Sequence, residues 1–187
     1  MTVMTTEMPS FLPYGRELTR ADLAAAPDDG HRYELIDGVL VVSPAPRVRH
    51  QWVLSGLFRI LDNACPPHLK LLFAPVDVVL ADDTVIQPDL VVAPHEAFTE
   101  SDLPVAPLLA VEVLSPSTRG VDLLLKKDRL QRAACPHYWV VDPDEPSVTA
   151  WELVDGVHRE RAHVSGAEPF EVTAPFPVRF VPASLTE

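Results

Sequence analysis

A chain of 187 residues with 47% hydrophobic residues is long enough to bury one core of ordinary domain size, which excludes a disordered or fibrous protein. Two cysteines, Cys65 and Cys135, in neither a Cys-x-x-Cys nor a Cys/His cluster, exclude a disulfide framework and argue against a zinc site, as expected in a reduced setting. The net charge of −12 argues against a protein that coats nucleic acid, because non-specific affinity for DNA comes mostly from neutralised phosphates.

Residues 1–15 are expected to be a flexible tail ahead of a single domain over residues 16–187. Met1 to Pro13 has neither the basic start nor the apolar core of a signal peptide. No apolar run approaches the ~20 residues that a membrane-spanning helix needs. The expectation is a cytoplasmic protein with no membrane partner.

Thr19 to Asp22 has the form of an N-cap with an acidic residue in the first turn, and Leu23 to Ala26 continue a short helix that Pro27 closes. Arg32 to Ile36 and Val39 to Val42 flank Asp37-Gly38, a dipeptide that tolerates the positive φ of a tight turn, so a hairpin is predicted with Glu34 on its first strand. After Ser43-Pro44-Ala45-Pro46 the period changes: Val53, Leu54, Leu57, Ile60 and Leu61 form one apolar stripe of a helix from His50 to Ala64.

Strands are predicted at Leu69 to Phe73, Val76 to Leu80 and Val85 to Val92, then a polar loop from Pro94 to Pro107 with at most a short turn of helix. A strand at Leu108 to Leu114, a helix from Thr118 to Ala134 and a strand at Tyr138 to Val141 make a crossover whose two strands should be parallel. Val148 to Leu153, Val157 to Val164 and Phe176 to Val181 read as edge strands, with 20 prolines limiting helix elsewhere. The fold class is α/β: a mixed central sheet flanked by helices, with an N-terminal hairpin and C-terminal edge strands.

Two apolar runs each contain one carboxylate, Asp89 in Val85 to Val92 and Glu112 in Leu108 to Leu114. An ionised group buried without a partner costs several kcal/mol, so the pair predicts a cation, a basic partner or a shifted pKa. If the two strands are neighbours, both acids reach one divalent metal. Alternation along Leu109 to Leu114 also allows Glu112 to be a solvated residue on a half-exposed face.

Downstream lie Arg119, Lys126, Lys127, Arg129 and Arg132. At about 100° per residue Lys126 and Lys127 flank the packed face of a helix on opposite sides, so helical geometry does not choose between them, and both could be solvated. His50 opens its helix after a proline-rich loop, where a polar cap or surface role is simplest.

Six blocks carry a resemblance: Tyr33-Glu34-Leu35-Ile36-Asp37-Gly38, Pro46 to Gln51, Gln87-Pro88-Asp89-Leu90, Val111-Glu112-Val113-Leu114-Ser115-Pro116-Ser117-Thr118, Asp122 to Lys126, and Tyr138-Trp139-Val140-Val141-Asp142-Pro143. In this order, over Leu18 to Leu153, the chain resembles the Uma-two-type endonucleases of the PD-(D/E)xK, restriction-endonuclease-like superfamily. The resemblance implies a restriction-endonuclease-like core, Asp89 and Glu112 as metal ligands, Glu34 in the acidic cluster, and an active-site lysine. Leu114 stands where the lysine of Glu-x-Lys is expected, so the lysine is carried to Lys126 of Asp122-x-x-x-Lys126. Leu130 replaces a frequent tyrosine, and Cys135-Pro136-His137 a more usual Gly-Val-Pro-Glu run.

The expected function is a Mg²⁺- or Mn²⁺-dependent endonuclease acting on DNA, the metal held by Asp89, Glu112 and the Val113 carbonyl. Arg119, Lys127 and Arg129 are the expected phosphate contacts, with Arg47, Arg49 and His50 as a second patch. A homodimer is expected by analogy. The rival reading keeps the fold as a binding or assembly module without turnover; a hydrolase of another phosphate ester is a third.

Overall fold

The computed structural model describes residue 13 and residues 15–186, so the expected N-terminal tail lies, apart from residues 13 and 15, outside the described residues. Strands β1 (Arg32–Ile36) and β2 (Val39–Ser43) pair antiparallel around Asp37 and Gly38, which take φ of 50° and 71°. Gly38 is also required sterically, since a Cβ there would come within 2.8 Å of the Glu17 Cβ.

The hairpin joins a five-stranded sheet of order β2-β1-β5-β4-β7, with β4 at Asp77–Ala81, β5 at Thr84–Ile86 and β7 at Asp102–Leu103. A six-stranded sheet of order β11-β10-β9-β8-β6-β3 forms the centre. Its strands are β3 (Leu69–Phe73), β6 (Leu90–Pro94), β8 (Leu109–Val113), β9 (His137–Asp142), β10 (Ser147–Val154) and β11 (Val157–Ser165). β8 and β9 are parallel, as the crossover predicts, and the other pairs antiparallel, so the sheet is mixed.

Two cores lie on its two faces. Helix α2 (Val48–Ala64) lays Val53, Leu57 and Leu61 on one face, against Leu71, Leu90, Val111 and Trp139. The opposite face carries Val91, Ala110, Tyr138 and Val140 and is covered by Ile36, Val78 and Ile86 of the smaller sheet and by Leu130 of helix α3 (Lys127–Arg132). Alternation along β8 therefore sends Leu109, Val111 and Val113 to the first core and Ala110 and Leu114 to the second. Glu112 shares the second face, and at 1% exposure it is not solvated, because the smaller sheet closes over the side left open in a half-exposed strand.

Several expectations are revised. Val85 to Val92 is two strands in different sheets, β5 and β6, broken at Gln87-Pro88-Asp89. Pro88 has no N–H for a ladder, and the Gln87 N–H is turned to Glu34 Oε1 at 2.7 Å. The helix expected over Thr118 to Ala134 opens instead with a π-helical turn at Val121–Lys126 before α3. Of the expected edge strands only β11 is an edge: β10 lies between β9 and β11, and β13 (Val178–Phe180) pairs with β12 (Phe170–Val172) as a separate ribbon, whose Phe170 packs edge-on to Trp139 at 5.2 Å. The polar loop also contains β7, which pairs parallel with β4. The short helix α1 is Arg20–Leu23, so the helix expected over Leu23 to Ala26 has already ended where Pro27 was to close it.

Candidate active site

Strand alternation in β1 puts Arg32 and Glu34 on one side, with Glu34 buried. The break after β5 delivers Asp89 just ahead of β6, where Leu90 pairs with Val111 of β8, one residue before Glu112. The π-helical turn supplies the rest: its wider turn brings both Asp122 and Lys126 to the buried side, and the Tyr138 hydroxyl donates to the Asp122 carbonyl at 2.8 Å.

These side chains meet. Lys126 Nζ lies 2.8 Å from Glu34 Oε1, 2.9 Å from Glu112 Oε1 and 3.6 Å from Asp122 Oδ1. Asp89 Oδ2 accepts the Val113 N–H at 2.8 Å and stands 3.1 Å from His50 Nε2, while Asp89 Oδ1 accepts from Arg32 Nη1 at 3.2 Å. Arg32 Nε is 3.8 Å from Glu34 Oε2, and Thr118 donates to Asp122 Oδ2 at 2.8 Å.

The electrostatics follow from burial and pairing. Burial alone would push Asp89 up, but His50, Arg32 and the Val113 N–H outweigh it and hold Asp89 below the usual carboxylate range. Glu112 is driven well above its usual range, first by burial and then by Asp122, Asp89 and Glu34, against the pull of Lys126. Asp122 is raised for the same reasons. Burial opposes the charge on Lys126, yet Glu112, Glu34 and Asp122 outweigh it, so the ammonium stays protonated. Four carboxylates against Arg32 and Lys126 leave a formal surplus of two negative charges, with His50 neutral.

That surplus, the all-oxygen donor set of Asp89 and Glu112, and a buried Asp122 Oδ1 with no hydrogen-bond partner among the described residues suit a hard divalent cation. Among the described residues no three His, Cys, Asp or Glu side chains are grouped to hold an ion by themselves, so backbone, water or substrate oxygens would complete its shell. Asp89, Arg32 and His50 line a cleft of about 1160 Å³, and Glu34, Glu112 and Lys126 lie behind that lining.

The other expected residues go elsewhere. His50 is buried against Asp89 and is not a surface residue. Arg47 lines the cleft, and Arg49 lies 3.7 Å from Asp144. Arg119 is paired with Asp142, and Arg129 with Asp37 at 2.9 Å and Asp83 at 3.0 Å. Lys127 turns away from the carboxylates and sets Nζ 4.3 Å from the centroid of the Trp151 ring. Asp37, Asp83 and Asp142, distant from one another along the chain, thus fold back onto Arg119 and Arg129. The sequence signals Arg32 only through its two-residue spacing from Glu34 on a strand, and Asp122 only through its four-residue spacing from Lys126.

Residues 20–185 match the model of the Uma2 family, described as "Putative restriction endonuclease". The chain belongs to the Uma2 family. The Uma2 match takes in Arg32, Glu34, His50, Asp89, Glu112, Asp122 and Lys126, hence the whole cluster. No curated protein matches the chain. Among solved structures, the chain is similar to a "putative nuclease belonging to DUF820" from Anabaena variabilis ATCC 29413, at 17% identity over 90% of this chain and 97% of that one, with a TM-score of 0.69. At that identity the likeness bears on the fold, which is thus the nuclease neighbour's fold.

Proposed function

We propose that this Uma2 protein is a Mg²⁺- or Mn²⁺-dependent endonuclease that hydrolyses phosphodiester bonds of DNA, with Asp89, Glu112 and the Val113 carbonyl holding the metal. The observation that carries the reading is Lys126: with Leu114 in place of the usual Glu-x-Lys lysine, an amine from the π-helical turn still lies 2.9 Å from Glu112. The family's description and the neighbour's title support a nuclease.

A divalent ion bound there would polarise the scissile phosphate and supply activated water. Lys126, held protonated by its carboxylates, acts as a donor and fixed positive charge that orients the attacking water and offsets charge on the phosphoryl oxygens; it does not take the proton. Glu34 anchors that ammonium and also accepts the Gln87 N–H, which ties Lys126 to the segment carrying Asp89. Arg32 and Arg47, in the cleft lining, hold the flanking phosphates. A second copy would bring a second site to the opposite strand.

The test is incubation with supercoiled, linear and single-stranded DNA across several divalent metals. Product should form with the parent protein and vanish with chelator, with Asp89→Ala and with Glu112→Ala; cleavage kept by either variant sinks the site. The rival reading, an inactive nuclease-fold binding module, draws on the lack of a ready-made ion cage among the described residues. Calorimetric titration with Mn²⁺ separates them, since no binding at millimolar metal favours the module.

A further inference from the structure

The cleft that exposes Asp89 is roomy, apolar in part and short of positive charge. At about 1160 Å³ it exceeds the ~1,000 Å³ at the top of the usual range for small-molecule sites. Its charged lining is Arg32 and Arg47 against Asp28, Asp77 and Asp89, a formal charge of −1 with histidines neutral. The arginines of the basic helix add little, because Asp37, Asp83, Asp128 and Asp142 already pair with them. An intact duplex is held chiefly through many neutralised phosphates, and this surface offers about two.

What the cleft does offer is Phe73. This ring lines the cleft, is 57% exposed, and ends β3 opposite Leu90, the residue next to Asp89. Phe58 of α2 packs edge-on against it at 5.3 Å and 84°, so a largely open aromatic is held in place beside the candidate site. Base stacking needs such a platform and tolerates any sequence, because every base has a π face. Stacking requires the base to be free of its partner strand.

We propose that the cleft takes an unpaired strand, one base of which stacks on Phe73 while a phosphate beside it meets Arg47 of the same lining, next to Asp89. The inference rests on the nuclease reading and narrows its substrate to single-stranded or locally opened nucleic acid.

Fluorescence anisotropy with one labelled oligonucleotide, as single strand and as duplex, in chelating buffer and alongside the cleavage assay, tests it. The single strand should bind at least about tenfold more tightly than the duplex. Phe73→Ala should weaken single-strand binding about tenfold, and Phe73→Trp should restore it with quenching of the added indole by the strand. The slope of log affinity on log salt should be no steeper than about −1.4, for at most two phosphates at about −0.7 each, since Arg32 is already paired with Asp89 and Glu34. Thermal melts confirm that the variants are folded, as expected for a half-exposed side chain. Duplex binding equal to or tighter than single-strand binding, or a Phe73→Ala variant that binds like the parent, overturns this inference and leaves the nuclease reading intact if Glu112-dependent cleavage persists. Failure to bind or cut any form of DNA overturns both.

Discussion

Lys126 Nζ donates to Glu112 Oε1 at 2.9 Å in a pocket where the lysine is 0% and the glutamate 1% exposed. The same nitrogen reaches Glu34 at 2.8 Å, so one ammonium ties β1 of the smaller sheet to β8 of the larger. Removing one partner of a buried ion pair leaves the other charge uncompensated, at a cost of about 3–5 kcal/mol. Lys126→Ala should lose roughly that much in urea unfolding and lose cleavage, even where circular dichroism shows it folded. Lys127→Ala should lose about 0.5–1 kcal/mol, the worth of an exposed contact with the Trp151 ring, and keep cleavage. Equal losses in the two variants would contradict this assignment.

His50 orients Asp89 through Nε2 at 3.1 Å, and Arg32 holds the other oxygen at 3.2 Å. A partner that aims a ligand is worth about 10–100-fold in metal affinity. His50→Ala should therefore weaken Mn²⁺ binding by that factor in calorimetry. Arg32→Ala should shift it the other way, because the cluster loses a positive charge and its negative surplus grows from two to three. A tighter ion in His50→Ala would refute the positioning role.

Arg129 is only 12% exposed in its side chain and spans Asp37 of the hairpin turn, Asp83 and the Thr84 hydroxyl. Hydrogen bonds to charged groups contribute about 1.5–3 kcal/mol. Arg129→Ala should lower stability by about that amount. Its DNA affinity, measured where it is fully folded, separates the two roles: a change in salt slope by about one phosphate marks a phosphate contact, and an unchanged slope marks a clamp between the hairpin and α3.

The pH response of stability is set in part by His158. Its Nε2 lies 2.8 Å from the Cys135 carbonyl and so carries the proton, while Nδ1 is buried. Burial lowers its pKa below 6.5, and that of His137 likewise. The folded state thus binds these protons less readily than the unfolded chain, so their contribution is fully present above pH 6.5 and is lost as pH falls below it towards the folded pKa. Glu112 and Asp122, raised by burial, act in the opposite direction, so the readout is the difference between variants: from pH 7 to pH 5 the Tm of His158→Gln should rise relative to that of the parent, and a constant difference would show that His158 does not contribute.

Much of the frame was legible because it is local. Asp37-Gly38 specifies the β1–β2 turn, the stripe Val53, Leu57 and Leu61 specifies α2, and the length of the crossover makes β8 and β9 parallel. Pro88 was visible too, yet reading Val85 to Val92 as one strand missed that a residue without an N–H, beside a Gln87 N–H claimed by Glu34, ends one sheet and begins another. The π-helical turn was not legible, since its registration depends on Tyr138 holding the Asp122 carbonyl from a strand far along the chain.

By itself the sequence determined which residues could not rest easily in an apolar setting: Asp89 and Glu112 in their runs, on strands set by periodicity and turn chemistry. Only the tertiary structure decided what compensates them. The solvated alternative for Glu112 closes because the smaller sheet covers its face; the choice between Lys126 and Lys127 as neighbour of the acids falls to the π-helical turn; and Arg32 and His50 enter because they converge on Asp89 from β1 and α2. The reason is physical. Backbone propensity acts over a few residues, whereas the low-dielectric pairing of buried charges depends on distances that exist only once both sheets have packed.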